Sequence, residues 1–437
     1  MLRKYHSNPY LHVLQWFIFM TASSVALPIV IGGLFHLSQD EIASLMQRTF
    51  FVVGLSSMLQ AVLGHRFPIV DGPAGSWVSV FVMMAGISAN QGHTAKEALQ
   101  VLEGGLLMAG VLLFLLGITG LFYKLLNLFT PLVTNLFLFI LSLQLSGVFL
   151  KGMFGLKAGQ GAVDYGTILI SLAVFGGVVF LNVKGKGWTR NYAVLLGITG
   201  GWVLQALAVG GVSSAGSASG AWIKLPDIWA WGFPQLNPGM ALTAALFTLI
   251  LVSNLVAAIT AAQQAVPRKE LPGKNVYNRA SLIAGVSHGL SALFSAVGVV
   301  SLPVTASFIR MTGQTRRMPF IIACLALSVI ALVPSIVHFL AQLPTSVASA
   351  VSLATFVQMT SNSFSSLSRV VQTQRQLTIL GIGILVGAGF TLIAASPLPE
   401  LPVVMQYAFG NGLLVATVVV MALERFWQTE PKLIVSN

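Results

Sequence analysis

The chain has 437 residues, 56% of them hydrophobic and 8% charged, with a formal net charge of +12. A soluble domain carries about 25% charged residues, so this chain cannot cover a water-facing surface and takes lipid as its solvent. Its basic residues are scattered over short connections, which excludes a nucleic-acid-binding patch, and its one cysteine, Cys324, excludes a structural disulfide within the chain.

In chain order, the start "MLRKYHSNPY" is basic and then polar, with no small-residue cleavage site, and is read as no cleaved signal peptide. Apolar runs then recur, each long enough for about 30 Å of hydrocarbon. They predict spans at 11–35, 43–64, 73–89, 99–119, 128–150, 165–182, 191–210, 240–265, 279–299, 304–316, 318–338, 345–366, 377–395 and 405–425. That makes fourteen segments, the third and tenth too short to cross as full helices. Glu103 and Glu424 fall near segment ends and are expected to be solvated. The longest connection, "GGVSSAGSASGAWIKLPDIWAWGFPQLNPG" (210–239), reads as a flexible extracytoplasmic linker with interfacial tryptophans.

Charge fixes the orientation. With the N-terminus cytoplasmic, 17 of the 23 Lys and Arg fall in one set of connections, from Arg3 and Lys4 through Lys184, Lys186 and Arg190 to Lys432. Only Lys96, Lys151, Lys157 and Lys224 fall in the opposite set, while Arg48 and Arg310 lie within spans. The positive-inside rule then puts both termini on the cytoplasmic side of a cell inner membrane.

The two halves correspond. Segment one begins near 11 and segment eight near 240, and Pro73 and Pro303 are 230 residues apart. Seven segments is an odd number, so the second half enters from the opposite side. The expected fold is an all-α polytopic membrane protein with fourteen segments in a seven-plus-seven inverted repeat. Short strands, "FPIVDG" (67–72) and "VGVVSLP" (297–303), should precede half-helices in segments three and ten. Short, Gly/Pro-interrupted segments in matching positions point to a transporter site. The small residues that follow the breaks, among them Gly75, Ser76, Thr305 and Ser307, should begin half-helices whose free N–H groups face the bilayer centre.

Segment eight carries Asn254 in an apolar run. On a helix Ser253, Asn254, Ala257, Ala258 and Ala261 share one face, opposite Leu251, Leu255 and Ile259. Segment one has a similar face of Gln15, Phe19, Ala22, Ser23 and Ala26. A carboxamide offers two donors and an acceptor without formal charge, which suits a neutral, planar solute. It can equally join two helices, a bond worth about 0.6 kcal/mol in membranes.

Four stretches resemble one family. They are "LQWFIFMTASSVALP" (14–28), "FPIVDGPAGSW", "NRASLIAGVSHGLSALFSAVGVVSLPVTAS" (278–307) and "SPLPELPVVMQYAFGNGLLVATVVVMALE". Together they are similar to the nucleobase–ascorbate transporters, and to a divergent purine-permease branch of them, over nearly the whole chain. The resemblance implies a core domain of segments 1–4 (11–119) and 8–11 (240–338). It implies a gate domain of segments 5–7 (120–210) and 12–14 (339–425), with an extracytoplasmic loop at 211–239. It also implies a homodimer, an elevator-like core and a base held between segments three, eight and ten. The coupling ion would be H+ or Na+, with no other cofactor. The departures are specific. The family's Gln-His pair is Gln15-Trp16 here, its base-gripping glutamate is Asn254, an aspartate four residues on is Ala258, and its segment-ten motif is absent from "VTASFIRMTGQTRR".

The expected substrate shell is therefore Asn254, Gly75, Ser76, Ser23, Thr305 and Ser307, with Ala258 beside it and Trp16 and Trp77 as stacking surfaces or packing. His288 and Asp71 are the candidate coupling groups. His288 can also serve as a bonded structural histidine, and Asp71 as a cap of the following half-helix. Arg310 either attracts an anion or snorkels to the cytoplasmic face. No metal cluster, nucleophile triad or phosphate loop is present, so an enzyme is not expected. The leading reading is a purine or nucleobase permease. The alternative is a transporter of bicarbonate, sulfate or a carboxylate on the same architecture, and a third is a non-transporting receptor or scaffold.

Overall fold

The computed structural model describes residues 9–125, 128–156, 164–208, 222–266, 273–394 and 402–427. The first half runs α1 (Pro9–Leu34), α2 (Gln39–Val62), β1 (Asp71–Pro73), α3 (Gly75–Gln91), α4 (Ala95–Thr119), α5 (Leu121–Leu125), α6 (Pro131–Met153), α7 (Tyr165–Lys184), α8 (Trp188–Asn191) and α9 (Ala193–Ala208). The second runs α10 (Pro238–Ala265), α11 (Lys274–Leu293), β2 (Val299–Ser301), α12 (Thr305–Thr312), α13 (Arg317–Ala331), α14 (Pro334–Ala341), α15 (Thr345–Val370), α16 (Gln374–Ala394), α17 (Val403–Phe409) and α18 (Gly412–Phe426). Each expected span overlaps a helix, except that 318–338 and 405–425 each fall on a broken pair, α13 with α14 and α17 with α18. Among the described residues seven helices are long and apolar enough to cross a membrane, and α13 with α14 make an eighth if the bent pair is one span.

Local chemistry sets the ends. Ser38 with Glu41 and Thr94 with Glu97 form capping boxes that start α2 and α4. Thr130 and Asn237 cap α6 and α10, each followed by a proline at the first helical position, where no N–H is needed. Asp164 caps α7 from outside the span, and hydrogen bonds led by the Thr167 hydroxyl hold its carboxyl below the usual range. Left-handed glycines at 92, 120 and 313 close α3, α4 and α12. The expected segment eleven is not one straight helix, because the chain bends by 89° between α13 and α14, where Pro334 restarts it. The last segment likewise breaks at Gly410, and Asn411 caps α18.

The strands are shorter than expected. β1 and β2 pair antiparallel in the register Asp71↔Ser301, Gly72↔Val300 and Pro73↔Val299. Ala74 N–H donates to Gly298 O at 2.9 Å and Leu302 N–H to Val70 O at 2.8 Å, which extends the ladder by a step at each end. Around this crossing α2 packs on α13 and α4 on α11, α1 on α13 and α10 on α4, and α1 on α3 and α10 on α12. Beside it α6 packs along α15, α7 on α15 and α9, and α16 on α6 and α18.

The linker reading of 210–239 is corrected for its second part, while 209–221 lie outside the described residues. Trp231 is buried under the Arg48 guanidinium, 5.3 Å from its ring centroid. Gln100 Nε2 donates to Trp231 O at 3.0 Å, and Trp229 N–H donates to Leu293 O at 2.9 Å. This stretch is a fixed strap over α2, α4 and α11.

Candidate functional site

The chain turns from β1 into α3 at Ala74, whose own amide is bonded across the ladder and which supplies no side-chain cap. The next three amides, of Gly75, Ser76 and Trp77, meet no acceptor among the described residues; the first N–H bonded back is that of Val78, to Ala74 O at 3.2 Å. These are the orphan donors of a helix N-terminus, carrying its partial positive charge. Ser76 Oγ is buried beside them and also lacks a partner. Serine 79 donates to Ser76 O at 2.7 Å and receives the Asn411 amide at 3.3 Å, which ties this turn to the head of α18.

The start of α12 differs, and the expectation of bare amides at both breaks holds only for α3. A tight turn takes up the amides of Thr305, Ala306 and Ser307, which donate to Leu302, Pro303 and Val304 carbonyls at 3.1, 3.1 and 3.0 Å. The Thr305 hydroxyl is buried and accepts from Val70 N–H at 3.3 Å, so it stitches the half-helix to the other strand. Ser307 is half-buried and accepts from Arg310, which is exposed in the last turn of α12 and does not reach the strand crossing.

On α10 Asn254 is half-buried, and its carboxamide makes no hydrogen bond among the described residues. Its neighbour Ser253 is buried and bonds Thr134 of α6 through the two hydroxyls at 3.2 Å. Ala258 is buried, and so are Leu251, Leu255 and Ile259, so α10 is enclosed on both sides. Phe247, two turns earlier on the Asn254 stripe, packs against Trp77 of α3 with ring centroids 4.6 Å apart. That contact anchors α10 beside α3, with Asn254 about 10 Å further along the axis, on the helix that also packs on β2 and α12.

The remaining candidates are used by the fold. Trp16 is wholly enclosed by Phe19, Phe308 and Phe320 (centroids 6.2, 4.7 and 4.9 Å), so it offers no open face for stacking. Trp77 is likewise enclosed, and its Nε1–H donates to His288 Nε2 at 3.0 Å. His288 Nδ1 lies 2.8 Å from Ala284 O. That pair of contacts assigns the Nδ1–H tautomer and leaves His288 no free nitrogen for a coupling proton. Ser23 donates to Met20 O at 2.9 Å within its own helix. Asp71 does not cap α3; its carboxylate accepts from Ser301 Oγ at 2.6 Å.

Three features escaped the sequence reading. Phe356 of α15 lies over the α3 N-terminus, so closely that a Cβ added to Gly75 would stand 2.6 Å from its ring tip. Nothing in "SLATFVQMT" distinguishes that phenylalanine from packing. Glu103 is fully buried rather than solvated and accepts from Ser295 Oγ, while Glu424 pairs with Arg375 at 3.4 Å. Gln314, buried in the turn after α12, donates its amide to Gln15 of α1.

A mostly helical body with several helices apolar enough to cross a membrane, broken at two crossing strands, is that of a multi-pass membrane protein. The chain belongs to the permease family whose sequence profile, Xan_ur_permease, matches residues 10–395. A Bacillus subtilis relative named "Putative purine permease YwdJ" is 31% identical over 95% of both chains. The uric acid transporter UacT of Escherichia coli is 25% identical over 95% of this chain and 85% of its own. The nucleobase transporter PlUacP of Paenibacillus larvae is 23% identical over 92% and 90%. Among solved structures, the transmembrane domain of the cyanobacterial bicarbonate transporter BicA superposes with a TM-score of 0.64 over 96% of this chain and 98% of that one. Murine Slc26a9 does so with 0.64 over 97% and 68%. At 14% and 13% identity these two show the fold alone.

Proposed function

We propose that the chain is a permease that moves a purine or related heterocycle across a cell inner membrane. The observation that carries this is the open N-terminus of α3. Three unpaired amides and the Ser76 hydroxyl offer donors to the acceptor edge of a flat ring, and the unpaired Asn254 carboxamide on the adjacent helix complements a mixed donor–acceptor edge. Phe356 supplies an apolar face over the same turn. The α12 side contributes the wall rather than donors. The relatives' names support purines and uric acid as the substrate class.

Fourteen segments in a seven-plus-seven inverted repeat fit the helix order. Exchanging the halves maps α2–α13 packing onto α11–α4, α1–α13 onto α10–α4, α1–α3 onto α10–α12, and α7–α9 onto α16–α18. In this reading 11–119 and 240–338 form the core that slides as an elevator, 120–210 and 339–425 form the gate, and the unit is a homodimer with both termini cytoplasmic. The anion reading loses its cation, since Arg310 lies exposed at the far end of α12.

The test is purified protein against a panel of nucleobases and small anions, first by thermal shift and then by flux in liposomes. Stabilisation and saturable uptake of a purine are expected. Asn254→Ala should reach wild-type membrane levels and raise Kd at least about tenfold, the worth of one or two lost hydrogen bonds. Unchanged kinetics in that variant would remove Asn254 from the site.

A further inference from the structure

Asp71 sits at the centre of the strand crossing, 1% exposed and directly opposite Ser301. The Ser301 hydroxyl donates to its Oδ1 at 2.6 Å. Ser57 of α2 clasps its peptide, accepting from Asp71 N–H at 2.9 Å and donating to Asp71 O at 3.3 Å. Every bond here is to a neutral group.

The helices packed on the two strands are α1, α2, α10 and α11. Their buried titratable side chains are Arg48, Tyr277 and His288. Arg48 donates to the Ser44 and Phe294 carbonyls and covers Trp231. Tyr277 stacks on Phe122, and His288 is bonded at both nitrogens. Tyr10, His12, Asp40, Glu41, Lys274 and Arg279 lie within two turns of a helix end, and α10 has no such group. From α13 the buried Cys324 thiol, which contacts Met20 Sδ at 3.9 Å, brings no positive charge.

We propose that Asp71 is the proton carrier of this permease, taking up a proton together with the substrate and releasing it on the other side. The inference rests on the transport reading above. An ionised carboxylate without a counter-charge is expensive at mid-membrane depth, and the cost recurs whenever the body that holds it crosses the bilayer. One proton on the carboxylate removes the charge. Asp71 and the unpaired amides of Gly75–Trp77 belong to one strand-to-helix turn, so a flat ring whose acceptor edge occupies those amides screens their partial positive charge from the carboxylate and favours its neutral form. Linkage requires the reverse as well: the bound proton tightens the substrate. This would place the ionisable group on the strand crossing, with the uncharged Asn254 on α10.

The experiment uses the full-length protein in liposomes with an entrapped pH dye and radiolabelled xanthine, hypoxanthine or uric acid. Wild-type uptake should carry protons with the purine and be driven by an inward proton gradient. Asp71→Asn mimics a permanently protonated acid. It should still exchange purine across a symmetric membrane, lose pH dependence in that exchange, and lose gradient-driven accumulation at least tenfold. Proton-driven accumulation at the wild-type level in Asp71→Asn would overturn the proposal. Purine flux by the wild type without protons, or with sodium in their place, overturns it too, even if the variant fails to reach the membrane. Absence of any purine flux in the wild type would instead sink the transport reading itself, and the carrier assignment with it.

Discussion

At the scale of single residues, polar groups in apolar helices divide by whether they find partners. His288 finds two, and its part is to hold the Trp77 indole against Phe247 and over Gly298, where an added Cβ would stand 2.4 Å from the ring. His288→Ala would leave the Trp77 N–H buried and unbonded, a loss of about 1–3 kcal/mol. It should lower the melting temperature in detergent while leaving the pH profile of uptake in place; a shifted profile would return His288 to the coupling role. Among the described residues the Asn254 carboxamide and the Ser76 hydroxyl find no partner, as the proposed site requires of both. Sequence could single out all three residues, because a polar side chain in an apolar run is visible there. It could not sort them, since sorting depends on Ala284, Trp77 and other groups that only the fold brings near. Phe356 shows the opposite limit, because a phenylalanine among apolar residues carries no mark of the glycine it will cover.

At the scale of elements, chain order and proline positions located the long helices and both strands, but not the short α5 and α8 or the breaks between α13 and α14 and between α17 and α18. What they could not supply was the difference between two ends that look alike. "PAGSW" and "PVTAS" are similar in composition, yet α3 starts with free amides and α12 starts in a turn that bonds its own. The distinction lies in backbone angles, with Ala74 extended and Val304 helical. The strap at 222–237 is a second case, where a Trp-rich stretch suited to a membrane interface instead buries Trp231 beneath Arg48. Trp231→Ala removes that packing and the cation–π contact, a loss of about 3–5 kcal/mol. It should make the strap cleavable by protease under conditions where the wild type resists; equal resistance would mean that the Gln100 and Trp229 hydrogen bonds suffice.

At the scale of the whole molecule, the two halves meet at one point. Asp71 and Ser301 are 230 residues apart, the same interval as Pro73 and Pro303, and they are also direct partners in the ladder. Positions that are equivalent under a repeat can face each other only near its symmetry axis, so the axis of the proposed inverted repeat runs through this pair. A two-fold axis in the membrane plane reverses one half against the other, and that requires an odd number of crossings per half, as the proposed seven is. Orientation then follows for every connection, and the buried free Cys324 makes it testable without removing a native thiol. His93→Cys, in the exposed turn between α3 and α4, should react with a membrane-impermeant maleimide added outside intact cells. Lys186→Cys, exposed between α7 and α8, should react only after the cells are opened. Labelling of both from the same side would break the seven-plus-seven count, because three crossings, α4, α6 and α7, separate the two sites and an odd number must put them on opposite faces.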